Sequence, residues 1–230
     1  MDTIAQRLNA VLHRIQAASQ AAGRASHSVQ LLAVSKTFGP PAVREAYAAG
    51  QRAFGENYIQ EALDKMAALS DLPLQWHCIG PVQSNKTKAV AEHFDWVHSV
   101  DRLKIAQRLS DQRPADLPPL QVCLQVNVDA GANKSGLAPD EVLPLARAVA
   151  ALPRLKLRGL MCIPEPAPDF EAAKAVFMRC RALLNDLNAQ GLALDTLSMG
   201  MTADLEPAIH AGSTMVRVGT AIFGDRSARA

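Results

Sequence analysis

The 230-residue sequence has no long apolar run; its longest purely apolar stretches, 148–152 and 159–163, are a few residues each. A membrane helix needs about 20, so no spanning segment is expected. The start, Met1-Asp2-Thr3, has no basic region followed by an apolar block. No secretory signal is expected, and a cytoplasmic location follows. Charge of one sign is also scarce. A net charge of +2 is too mild for a nucleic-acid footprint. The four cysteines (78, 123, 162, 180) form no CxxC pair, which favours reduced, buried thiols. The six histidines form no HxxxH and no cluster with cysteine, so no metal site is expected. Aromatic residues make up only 4% of the chain, but 49% is hydrophobic and 20% charged. That composition is enough for a core of its own.

The order of patterns is informative. Ile4, Leu8, Val11, Leu12, Ile15 and Ala22 fall at helical spacing, predicting a helix over 2–22 that ends at Gly23. Beyond it, short runs rich in Val, Ile and Leu alternate with alanine-rich amphipathic stretches. Strands are predicted at 30–36, 52–55, 75–80, 96–100, 120–128, 155–163, 194–199 and 214–218. Helices are predicted at 41–49, 57–68, 84–93, 102–112, 139–151, 168–190 and 204–211. Strict alternation means parallel strands with crossover helices. Eight units match a closed (β/α)8 barrel over about 30–224, the whole chain 1–230 forming a single domain. An open doubly wound sheet is the alternative. The tail after the last strand is too short for another helix, so the N-terminal helix is expected to fill that place in the outer ring.

Active sites of such barrels form at the C-terminal ends of the strands. Lys36 closes the first strand, where burial favours a neutral amine and Schiff-base formation; a surface lysine is the plainer account. Ser198-Met199-Gly200-Met201-Thr202 follows strand seven and opens a helix, and Arg217-Val218-Gly219-Thr220 ends strand eight. Hydroxyls, glycines and backbone N–H groups in these two loops suit a phosphate. Simple helix capping by Thr202 or Asp204 is the competing account. Alternation turns Arg217 inward with Gly219; an ion pair with an acid such as Glu56 would satisfy it. Strands one and eight are neighbours in a closed barrel. A cofactor with an aldehyde at one end and a phosphate at the other, such as pyridoxal 5′-phosphate (PLP), would bridge them. An aldolase-type lysine competes with this idea.

The motifs resemble those of the YggS/PROSC family of PLP-homeostasis proteins, over residues 30–224. They include Ala33-Val34-Ser35-Lys36-Thr37, Phe54-Gly55-Glu56-Asn57-Tyr58, Trp76-His77-Cys78-Ile79-Gly80, Asn85-Lys86, Gln125-Val126-Asn127, Lys134-Ser135-Gly136, Gly159-Leu160-Met161, Ser198-Met199-Gly200-Met201 and Arg217-Val218-Gly219-Thr220. Cys78 and Pro81-Val82 depart from the bulkier residues usual there. The resemblance implies a fold-type III PLP barrel with PLP linked covalently to Lys36. It places Ser198, Gly219 and Thr220 on the phosphate, with Met199 and Gly200 beside it. Arg217 would face the pyridine nitrogen, and Asn57, Ile79 and Met161 would line the ring pocket. It also offers Lys134 as a second lysine that could handle cofactor transiently, although a mobile loop lysine is the plainer account; for Lys86, in the third βα unit, a solvated helix start is the plainer account.

Two functions follow from this resemblance. A racemase of the alanine racemase type needs a second domain and a tyrosine opposing the lysine. The only tyrosines are Tyr47 and Tyr58, and little sequence follows Phe223. The favoured expectation is a non-catalytic PLP carrier or buffer, a monomer serving apo forms of PLP-dependent enzymes. A cation at the pyridine nitrogen disfavours its protonation and weakens the ring as an electron sink.

Overall fold

The computed structural model describes residues 2–129 and 135–224. The strands are β1 (Gln30–Val34), β2 (Ala53–Glu56), β3 (Gln75–Cys78), β4 (Trp96–Val100), β5 (Leu120–Gln125), β6 (Leu155–Met161), β7 (Thr196–Ser198) and β8 (Met215–Val218). All pair in parallel, in chain order, and β8 returns to β1 through Leu31 beside Val216 and Leu32 beside Arg217. This is the closed barrel that the alternation predicts; the open sheet is excluded.

The outer layer holds α1 (Ile4–Ala21), α2 (Pro40–Ala48), α3 (Ile59–Ala68), α4 (Thr87–His93), α5 (Leu103–Gln112), α6 (Val142–Ala150), α7 (Phe170–Ala189), α8 (Leu205–His210) and a single turn, α9 (Thr220–Phe223). A 3₁₀ turn, Pro139–Glu141, precedes α6. Thr3 and Gln6 form a capping box that starts α1. The buried stripe Ile4, Leu8, Val11 and Ile15 then packs α1 against α2, α8 and α9. The N-terminal helix therefore takes the outer-ring place expected of it. No described helix is long and apolar enough to cross a membrane.

Alternation along the strands divides the core in two. One set of side chains packs under the helices. The other, Leu32, Ala53, Trp96, Cys123, Met161 and Met215, fills the barrel interior, with Ile79 against it. The observed strands stop short of the predicted C-terminal ends: β1 at Val34, β3 at Cys78, β5 at Gln125 and β6 at Met161. Apolar sequence continues past the last ladder bond because Ile79, Val126 and Ile163 line the mouth or pack below it. All four cysteines are free and buried.

Candidate functional site

Lys36 lies two residues beyond β1, on a short segment fastened on both sides. The Ser35 hydroxyl donates to Glu56 Oε1 at 2.6 Å, and Lys65 Nζ donates to the Ser35 carbonyl at 2.8 Å. The Thr37 N–H donates to Glu61 Oε1 at 2.6 Å. Lys65, reaching in from α3, also pairs with Glu56 at 2.7 Å and Glu61 at 2.6 Å. Thr37 has a φ of 69°, the left-handed region that non-glycine residues seldom occupy. Two carboxylates and a buried ammonium thus hold the turn that carries Lys36. Burial raises the Glu56 carboxyl above its usual range, against the pull of Lys65.

A cavity of about 340 Å³ opens at this end of the barrel, lined by Val34, Lys36, Asn57, Ile79, Ile163, Met201, Thr202, Ala203, Arg217, Gly219 and Thr220. Its size suits a small ligand. The lining carries two cationic side chains, Lys36 and Arg217, and no carboxylate. Asn57 Oδ1 is buried there without a hydrogen-bond partner. Gly219 is where β8 becomes α9, and the first N–H groups of a helix have no acceptor within it. A Cβ at Gly219 would stand 3.1 Å from the Val34 carbonyl, so glycine keeps the backbone close to β1. A larger groove of about 560 Å³ adjoins the cavity, but its charged residues are Asp169, Asp204 and Glu206. It is the wrong sign for an anion.

Arg217 is almost wholly buried. Its Nη1 donates to the Ser198 carbonyl at 2.6 Å and to Ser198 Oγ at 2.7 Å, and its Nη2 donates to the Cys162 carbonyl at 3.0 Å. Its partner is therefore not Glu56, at the end of β2, which is taken by Ser35 and Lys65. Burial lowers the guanidinium's affinity for its proton. Ser198 Oγ also meets His98 Nδ1 at 2.7 Å. As the last residue of β7, Ser198 points into the barrel interior and does not line the cavity. Thr202, in the loop that follows, does.

The structure thus brings together Lys36, Asn57, Ile79, Arg217, Gly219 and Thr220 from the sequence-based set. Met161 is fully buried in the interior cluster, one layer below the cavity. Met199 packs in the outer core. Gly200 makes the turn after β7 at φ +97°, where a Cβ would stand 2.5 Å from Ala208 Cβ. Lys86 is exposed at the N-cap of α4, outside the lining of the mouth cavity. Lys134 lies outside the described residues. Lys65 is absent from the sequence-based set; its i,i+4 spacing from Glu61 is equally that of an exposed helical pair.

The alanine racemase N-terminal domain family matches residues 6–227. A pyridoxal phosphate homeostasis protein of Pseudomonas aeruginosa is 65% identical over 226 residues, covering 98% of this chain and 97% of that protein. One from Vibrio cholerae is 54% identical, with 98% of each chain covered. PipY of Synechococcus elongatus, solved with PLP bound, is 40% identical with a TM-score of 0.83, covering 96% of this chain and 100% of that one. Alanine racemase from Corynebacterium glutamicum, 19% identical with a TM-score of 0.69, shares the fold over 60% of its length. With cover this complete and identity this high, the chain belongs to the family of pyridoxal phosphate homeostasis proteins, built on the alanine racemase N-terminal domain.

Proposed function

We propose that this protein binds PLP at the barrel mouth, holds it as a Schiff base with Lys36, and serves as a carrier or buffer of the cofactor. The observation that carries the reading is the cavity that gathers Lys36, Arg217, Thr202, Gly219 and Thr220 with no carboxylate in its lining. The residues fit the group. An amine stands at one side for the aldehyde, hydroxyls and helix-start amides at another for the phosphate, and a guanidinium lies between the two loops. The unpartnered Asn57 Oδ1 is an acceptor available to a polar group on the ligand. When bound, PLP would supply a reactive aldehyde; this chain would bind it, orient it and shield it from bulk water.

Carriage fits better than turnover. Tyr58 is exposed at the N-cap of α3, and Tyr47 lies on α2 against Arg52; neither lines the cavity. An amino-acid racemase needs a second acid–base group opposite the lysine, and the described lining offers none of the tyrosine type. We further read the protein as a cytoplasmic monomer that passes cofactor to apoenzymes.

Mixing the protein with PLP, reducing with borohydride and mapping peptides tests the assignment. The reduced pyridoxyl group should appear on Lys36, and Lys36→Ala should lose the yellow colour of the Schiff base. A label mainly on Lys86 or Lys134 would overturn the site. Incubation of the loaded protein with L-alanine in deuterated water should give no racemisation above free PLP; robust α-deuteration would overturn the carrier reading.

A further inference from the structure

A polar chain runs through the barrel interior beneath the cavity. Arg217 Nη1 donates to Ser198 Oγ at 2.7 Å, and Ser198 Oγ meets His98 Nδ1 at 2.7 Å. His98 Nε2 meets His77 Nδ1 at 2.8 Å, and His77 Nε2 meets Gln75 Oε1 at 3.0 Å. These residues come from β8, β7, β4 and β3, and Ser198, His98 and His77 are wholly buried. Gln75 is the first residue of β3, so the chain ends at the opposite mouth.

Its direction follows from chemistry. A guanidinium has only donors and an amide oxygen only accepts, so with both imidazoles neutral the line runs one way: Ser198 Oγ accepts from Arg217 and gives its single hydrogen to His98 Nδ1. His98 then carries its proton on Nε2 and donates to His77 Nδ1. His77 in turn carries its proton on Nε2 and donates to the Gln75 amide oxygen. Each imidazole is a neutral Nε2–H tautomer, and every hydrogen along the line has one acceptor. Trp96 holds the geometry, stacking on His77 with centroids 5.3 Å apart and planes 8° from parallel. Burial also keeps both imidazoles neutral, with His77 lowered to about 3 and His98 well below its usual value.

We propose that Ser198, His98 and His77 are positioning residues for Arg217: a one-directional hydrogen-bond chain that fixes the guanidinium as a donor toward the ring nitrogen of bound PLP. This rests on the PLP reading above. Within it, Ser198 acts on the ring end of the cofactor through Arg217 and has no contact with the phosphate.

The test uses the full-length protein. Histidine labelled with ¹⁵N reports each tautomer in the wild type, with or without cofactor. Both His77 and His98 should be neutral Nε2–H at neutral pH; a protonated ring or an Nδ1–H tautomer at either position overturns the chain. PLP labelled at the ring nitrogen then reports its effect. Ser198→Ala and His98→Leu should shift the ring-nitrogen resonance and weaken PLP retention by roughly tenfold. His98→Gln, whose amide can accept from Ser198 and donate to His77, should restore both. Folded Ser198→Ala and His98→Leu proteins with unchanged resonances overturn the proposal. Should these variants not fold, the wild-type tautomers decide it alone. A wild type that takes up no PLP refutes the binding reading, while its tautomers still test the chain.

Discussion

Ser198 and Thr202 carry similar hydroxyls only a few residues apart, and their surroundings separate their roles. Ser198 Oγ is enclosed between Arg217 and His98, while Thr202 lines the cavity. Thr202→Val should therefore weaken PLP binding more than pyridoxal binding, whereas Ser198→Ala should weaken both alike. Isothermal titration with the two vitamers checks this; equal losses from Thr202→Val would return the phosphate to other groups. Gly219→Val should also select against PLP, since a Cβ there already meets the Val34 carbonyl at 3.1 Å. Residues of this kind were legible in part. Lys36, Arg217, Gly219 and Thr220 are read correctly to the mouth because they lie at or just beyond the ends of short apolar strands. Ser198 is assigned to the phosphate from its motif, but where β7 stops pairing and starts to turn depends on the Gly200 backbone and on tertiary packing.

At the scale of the element, α3 does more than cover the barrel. Lys65, almost wholly buried, crosses from this helix to the Lys36 turn and bonds to Ser35, Glu56 and Glu61. Removing one partner of such a buried set leaves an uncompensated charge, at a cost of about 3–5 kcal/mol. Lys65→Met should lower stability by that order and loosen the turn that presents Lys36. Urea unfolding measures the first effect; the rate of Schiff-base formation with PLP measures the second. Unchanged rates in a folded variant would reduce the cluster to a purely stabilising role. Periodicity made α3 itself legible, because its apolar face recurs at helical spacing. The inward turn of Lys65 was not, since a charged residue gives no sign in sequence that its partners lie on β2 and the β1 turn.

Across the whole molecule, the barrel topology follows from eight alternating units, but the polar column inside it changes the response to acid. His77 falls from about 6.5 in the unfolded chain to about 3 when folded, and burial is the cause. A depressed value contributes stability above pH 6.5 that is lost as pH falls toward the folded value. Between pH 6.5 and 4.5 this amounts to about 2.3 kcal/mol for His77, and His98 acts in the same direction. Glu56 runs the other way: its raised value gives a contribution present at low pH and lost as pH rises. Urea midpoints should therefore drop steeply from pH 6.5 to 4.5 in the wild type and less steeply in His77→Gln. A flat wild-type profile would mean that the imidazoles titrate in the folded protein.

Arg217 meets its acceptors on Ser198 and Cys162 within the protein itself. Its orientation is therefore held by the protein's own groups. Preorganisation of this kind means that cofactor can arrive or leave without repacking the barrel, and any reorganisation falls on the few residues of the mouth. A scaffold that keeps its most expensive charge settled in advance suits a guest meant to be exchanged.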